Sequence, residues 1–225
     1  MPIILFLVQI LILFFVSQML TKTLSRLFYH LFKSQKIVIH LLSFLFLPGV
    51  VVHELSHLLT ANMLMVPTGE VEFLPEVHGN EVKMGSVAIA RTDPFRRFLI
   101  GVAPLILGLI MLFIFFWYFY PLKALFSYPT VLLFYVIFEV SNTMFSSRKD
   151  MEGALGFGIA VAFLILVGFF AGLRLPASFF QFFLQQSLLH VVSLINIFLF
   201  VGIVLDGFVV LLCYTYLHWR TNYHK

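Results

Sequence analysis

The chain has 225 residues, 61% of them hydrophobic and 11% charged, with a mean hydropathy of +1.05 and a net charge of +4. A water-soluble domain of this size has too little interior to hide so much apolar surface, so lipid is the expected solvent for most of it. The modest, clustered positive charge argues against nucleic acid as a partner and for a lipid bilayer with anionic headgroups, while the single cysteine, Cys213, excludes an intramolecular disulfide and a cysteine zinc site.

The expected fold is membrane all-α. Apolar runs long enough for transmembrane helices lie near 2–20, 37–66, 96–119, 128–145, 153–173 and 189–217, about six spans in all. Met1-Pro2-Ile3-Ile4 carries no basic n-region and no small-residue cleavage site, so the first run is expected to remain as a span. After it, Leu24, Leu27, Phe28, Leu31 and Phe32 recur at helical spacing among Lys22, Arg26, Lys33 and Lys36, the pattern of an amphipathic helix at the headgroup surface.

The second span holds His53-Glu54-Leu55-Ser56-His57, an H-E-x-x-H motif. Ionisable side chains are costly in hydrocarbon, so their presence there is a functional-site hypothesis by default. Two histidines one helical turn apart can share a metal ion, with the glutamate as general base. His53, Ser56, His57 and Thr60 together form a polar stripe on an apolar helix, and Pro48-Gly49, just before His53, is placed to kink it.

Residues 67–95 break the apolar pattern with five acidic residues, Glu70, Glu72, Glu76, Glu81 and Asp93. Gly79-Asn80 between two β-prone stretches predicts a small membrane-associated hairpin between spans two and three, and Asp93-Pro94 predicts a helix start. A second interfacial segment is expected at 176–188. The whole forms one integral-membrane domain over 1–225: an N-terminal span and interfacial helix (1–36), a core (37–173), and a C-terminal interfacial segment and span (174–225). Loops on the side of the two termini hold eight Lys and Arg against six on the other, which leans towards cytoplasmic termini in a multi-pass protein of the cell membrane.

A catalytic zinc takes three protein ligands and keeps one position open. Beyond His53 and His57, the carboxylates available at membrane depth are Asp150, Asp206, Glu139 and Glu152. Here the chain resembles the site-2 protease family of intramembrane zinc metalloproteases, which pairs H-E-x-x-H on one helix with an aspartate on a later one, in a pattern like N-x-x-P-x-x-x-L-D-G. Asn142 and Asp150 reproduce the Asn-to-Asp spacing, and Gly101-Val102-Ala103-Pro104 looks like the family's Gly-Pro element. The resemblance implies a zinc endopeptidase with His53, His57 and Asp150 as ligands, Glu54 as catalytic base and Asn142 beside the reacting peptide. Phe145 stands where the pattern has Pro, and a literal Leu205-Asp206-Gly207 occurs elsewhere, so Asp206 is a rival third ligand.

Hydrolysis of a transmembrane protein or peptide requires the substrate to unwind, and the strand Val82–Ala90 is expected to capture it by β-augmentation through Val82, Met84, Ser86 and Ala88. Two other classes share these residues: a zinc-binding receptor or scaffold without proteolysis, and an ion or proton transporter.

Overall fold

The computed structural model describes residues 2–74, 76–78, 81–83, 85–119, 128–145, 148–172, 181 and 185–223. The first helix, α1 (Pro2–Phe32), runs without a break through both the first apolar run and the stretch expected to form a separate interfacial helix. The reason is packing. Leu24 is buried with Leu20 against Val38, Leu42 and Phe46 of the next helix, and Leu27 and Phe28 pack on the same cluster, so the first part of the apolar stripe meets protein while Leu31 and Phe32 stay exposed. Lys33 ends α1 with a left-handed φ of 54°, and α2 (Gln35–Met63) turns back along it.

At its far end α2 closes in a Schellman arrangement: Val66 N–H donates to Ala61 O at 2.9 Å and Met65 N–H to Asn62 O at 3.0 Å, with Met65 left-handed at φ 56°. Val66 then packs with Ala61 and Ile100 in a small core at the root of the hairpin.

Four strands follow, β1 (Thr68–Glu72), β2 (Glu76–His78), β3 (Glu81–Lys83) and β4 (Ser86–Ile89), with β1 antiparallel to β4 and β2 antiparallel to β3. The register His78↔Glu81 fits a turn at the predicted position, although Gly79, Asn80 and Met84 themselves lie outside the described residues. Asp93 starts α3 (Pro94–Phe119) as expected. Its Oδ1 accepts from Arg96 N–H at 3.0 Å, and Pro94 occupies the first helical position, where a missing N–H costs nothing.

Further along, the described residues form α4 (Tyr128–Thr143), α5 (Arg148–Phe170) and α6 (Gln186–Tyr223). The predicted interfacial segment at 176–188 lies largely outside the described residues, and its last three residues open α6. Among the described residues, four helices are long and apolar enough to cross a membrane: Pro2–Phe32, Gln35–Met63, Pro94–Ile114 and Gln186–Arg220. The apolar parts of α4 and α5, Thr130–Thr143 and Ile159–Phe170, are shorter. Large apolar side chains cover the outside, among them Phe44, Phe163, Leu164 and Phe170, the distribution expected of a surface solvated by lipid.

Helix directions differ from simple alternation of six spans, which would set α1 and α6 antiparallel. They run parallel. Asn196 Nδ2 donates to Pro2 O at 3.0 Å, Gly202 lies against Leu13, and Val210 and Cys213 cluster with Leu20 and Leu24. Between them α1, α2, α3 and α4 do alternate, and α6 is antiparallel to α4, as Met144 meets Leu199 while Phe138 meets Val209. The chain therefore returns, between the end of α4 and the start of α6, to the end of the bundle it had left. Pro2 and Tyr223 consequently lie towards opposite ends of the helix bundle.

Candidate metal centre

The polar stripe of α2 faces inward. His53, Glu54, Ser56 and His57 are all buried, while Leu55 and Leu59 of the same turns are exposed. This inverts the usual soluble helix and is the pattern expected where the outer solvent is hydrocarbon and polar groups need protein partners. Ser56 finds one within the helix, its hydroxyl donating to His53 O at 2.6 Å.

The two imidazoles converge. His57 Nε2 lies 3.1 Å from His53 Nε2, with the rings nearly perpendicular at 84°. His57 Nδ1 lies 2.8 Å from Ile100 O on α3. A carbonyl only accepts, so Nδ1 carries the proton and Nε2 presents its lone pair to His53. Such an orienting carbonyl behind a histidine is the usual outer partner of a metal ligand. Two tetrahedral nitrogen ligands at ordinary zinc distances stand about 3.3 Å apart, so the observed separation fits a shared ion.

Among the described residues, no third His, Cys, Asp or Glu joins this pair into a ligand set. Asp150 lies on the first turn of α5, and its side chain is outside the described residues. Its approach is nonetheless constrained. Thr143 and Met144, at the end of α4, line one small cavity with Val52, His53, Pro104 and Gly108, so α4 stops at the depth of His53 and α5 begins a few residues later. Glu152 is likewise on α5, its side chain outside the described residues.

The rival, Asp206, is fully buried in α6, and its Oδ1 accepts from Asn142 Nδ2 at 2.8 Å. Asn142 Nδ2 also donates to Phe138 O at 2.9 Å, and Asn142 O accepts from Ser17 at 3.2 Å. Val140, Thr143 and Met144 form the face of α4 towards His53. Asn142, about 100° round the helix from Thr143, is on the flank that meets α1 and α6.

Glu139 is buried at the α2–α4 contact, where its Oε2 accepts from Gly49 N–H at 3.0 Å. This occurs beside Pro48, the residue that interrupts the helical hydrogen-bond ladder. Gly49 is needed there, since a Cβ would meet Thr143 at 2.5 Å. Sequence reasoning weighed Glu139 only as a ligand and missed this contact.

Gly85, just before β4, was missed altogether. A Cβ on it would come within 3.0 Å of Glu54 Cγ and Oε1 and 2.7 Å of Val50. A glycine at a strand end that lets backbone approach closely is a recognisable sequence signal. Of the expected capture residues, Val82 pairs with Val77, and Ser86 pairs with Glu72, whose Oε2 accepts from the Ser86 hydroxyl at 3.2 Å. Ala88 lies exposed on β4. Comparison of the chain with known protein families, with curated proteins and with solved structures finds no match in any of the three.

Proposed function

We propose that this chain is an intramembrane zinc metalloprotease of site-2 protease type, cleaving peptide bonds of transmembrane substrates. The observation that carries the reading is the convergence of His53 Nε2 and His57 Nε2 at 3.1 Å, with His57 oriented from behind by Ile100 and Glu54 buried in the same turn. In this reading α1, α2, α3, α4 and α6 cross the bilayer.

His53 and His57 would hold zinc through Nε2, with Asp150, on the first turn of α5, as the third ligand. Asp206 is engaged with Asn142 and joins α6 to α4, so that pair serves the bundle and not the peptide. Zinc, when bound, supplies a Lewis acid that polarises the scissile carbonyl and acidifies water. Glu54 takes the proton of the attacking water and returns it to the leaving amine. Strand β4, whose far edge pairs with no other strand among the described residues, receives the unwound substrate as an added strand. Gly85, immediately before β4, lies against Glu54, which sets a peptide added to that strand beside the base.

The test is purified protein in liposomes with a single-pass substrate. Wild type holds one tightly bound zinc and cleaves; chelation stops cleavage; Glu54→Gln keeps the zinc and cleaves at least about a hundredfold more slowly, the order expected for loss of a general base. Undiminished cleavage by Glu54→Gln, or wild type without zinc, overturns the proposal.

A further inference from the structure

Where α1 and α2 diverge near their shared turn, they enclose a groove of about 380 Å³. Its wall on α1 carries Lys22, Ser25 and Arg26, and its wall on α2 carries Gln35, Val38 and Leu42. The chemistry is graded along the groove. Cationic and polar groups line the rim, while Val38 and Leu42, both buried in the α1–α2–α6 core, make an apolar floor.

Depth places this gradient at the membrane surface. Twenty residues of continuous helix separate Pro2 from Lys22, and at about 1.5 Å per residue they span about 30 Å, the thickness of the hydrocarbon layer. Lys22 and Arg26 then emerge at the headgroup level, one helical turn apart on the same face of α1.

Lys22 and Arg26 are both exposed, and neither makes an ion pair among the described residues. No acidic residue precedes Glu54 in the sequence, so neither α1 nor the first half of α2 offers them a carboxylate. A rim with uncompensated positive charge above an apolar floor, set at the interface, is complementary to an amphiphile with an anionic head.

We propose that this groove is a binding site for an anionic phospholipid, its phosphate held between Lys22 and Arg26 and its upper acyl chain lying on Val38 and Leu42. The lipid fills the diverging ends of α1 and α2, next to the turn that sets α2 on its course towards the metal centre. The site is separate from the metal centre and does not depend on the protease reading.

Native mass spectrometry of the detergent-purified full chain tests the proposal, using phosphatidylglycerol and phosphatidylcholine of matched acyl chains. Wild type is expected to retain phosphatidylglycerol preferentially. K22Q/R26Q should weaken that retention by about 25-fold, taking about fivefold for each of the two interfacial cations. K33Q/K36Q removes the same charge from residues that do not line the groove, and should leave retention within about twofold of wild type. Ser25→Trp, which fills the groove without altering charge, should also expel the lipid, and glycerol phosphate should fail to compete. Four results would overturn the proposal: no preference over phosphatidylcholine, equal losses in the two charge variants, unchanged retention in Ser25→Trp, or effective competition by glycerol phosphate, which would mark a free-phosphate site.

Discussion

Gly85 rests on Glu54: a Cβ at position 85 would stand 3.0 Å from the carboxylate's Oε1. The hairpin therefore does more than lie at the surface. Its fourth strand begins where the proposed general base ends, so strand position and base position are coupled through one residue without a side chain. Gly85→Ala is expected to push the strand or Glu54 aside, lowering kcat/KM by about tenfold or more while leaving zinc content unchanged, as overpacking typically costs ~1–3 kcal/mol. Metal analysis beside a cleavage assay checks both halves. Wild-type cleavage by this variant would show that the contact is dispensable.

The hydrogen bond from Gly49 N–H to Glu139 ties the kink of α2 to α4. Glu139→Gln keeps a carbonyl acceptor of the same reach and should preserve stability and activity within a few fold. Glu139→Leu leaves the Gly49 N–H buried without its partner and should cost about 1–3 kcal/mol. Thermal unfolding in detergent, compared across the two variants, separates loss of the acceptor from loss of charge.

Asn142 and Asp206 are expected to behave as one unit. Removing Asn142 strips the buried Asp206 carboxyl of its 2.8 Å donor, so Asn142→Ala should destabilise by about 1–3 kcal/mol. Adding Asp206→Ala should cost less than the sum of the single changes, a coupling that a double-mutant cycle reads directly. Zinc binding should survive Asp206→Ala and fail in Asp150→Ala. The reverse outcome would make Asp206 the third ligand.

Asp93 gives a pH dependence whose sign can be worked out. The Arg96 N–H that caps α3, helped by the Arg96 guanidinium at 3.3 Å, holds the Asp93 carboxyl below its ordinary value of 3.8. The unfolded chain thus binds the proton more readily than the folded one. The cap's contribution is complete above pH 3.8 and fades as pH falls through the lower folded value. In metal-free protein, so that ligand protonation does not interfere, Asp93→Asn should lower the unfolding temperature near neutral pH. That difference should shrink towards pH 3. A difference constant with pH would mean the carboxylate charge plays no part.

Met65 holds a left-handed conformation that a side chain disfavours, with the residue almost wholly exposed. Met65→Gly should therefore stabilise the end of α2 by about 1 kcal/mol, read as a raised unfolding temperature.

Local chemistry made several parts of this protein legible in the sequence. The apolar runs, the H-E-x-x-H spacing, the pairing of the β-prone stretches on either side of Gly79-Asn80 and the Asp93-Pro94 helix start depend on residues close together in the chain, where propensity and periodicity act. The inward stripe of α2 followed too, since the face bearing His53 and His57 had nowhere else to go in an apolar surround. What the sequence could not decide were relations between residues far apart: Ile100 behind His57, Gly85 over Glu54, Gly49 against Glu139 and Asn142 against Asp206. The same holds for the amphipathic stretch after Lys22. Its spacing was read correctly, but whether an apolar stripe meets lipid or another helix depends on the partner, and α2 was the partner. The parallel course of α1 and α6 is of this kind as well, because hydropathy gives the length of each run and carries no information on its direction in the bundle.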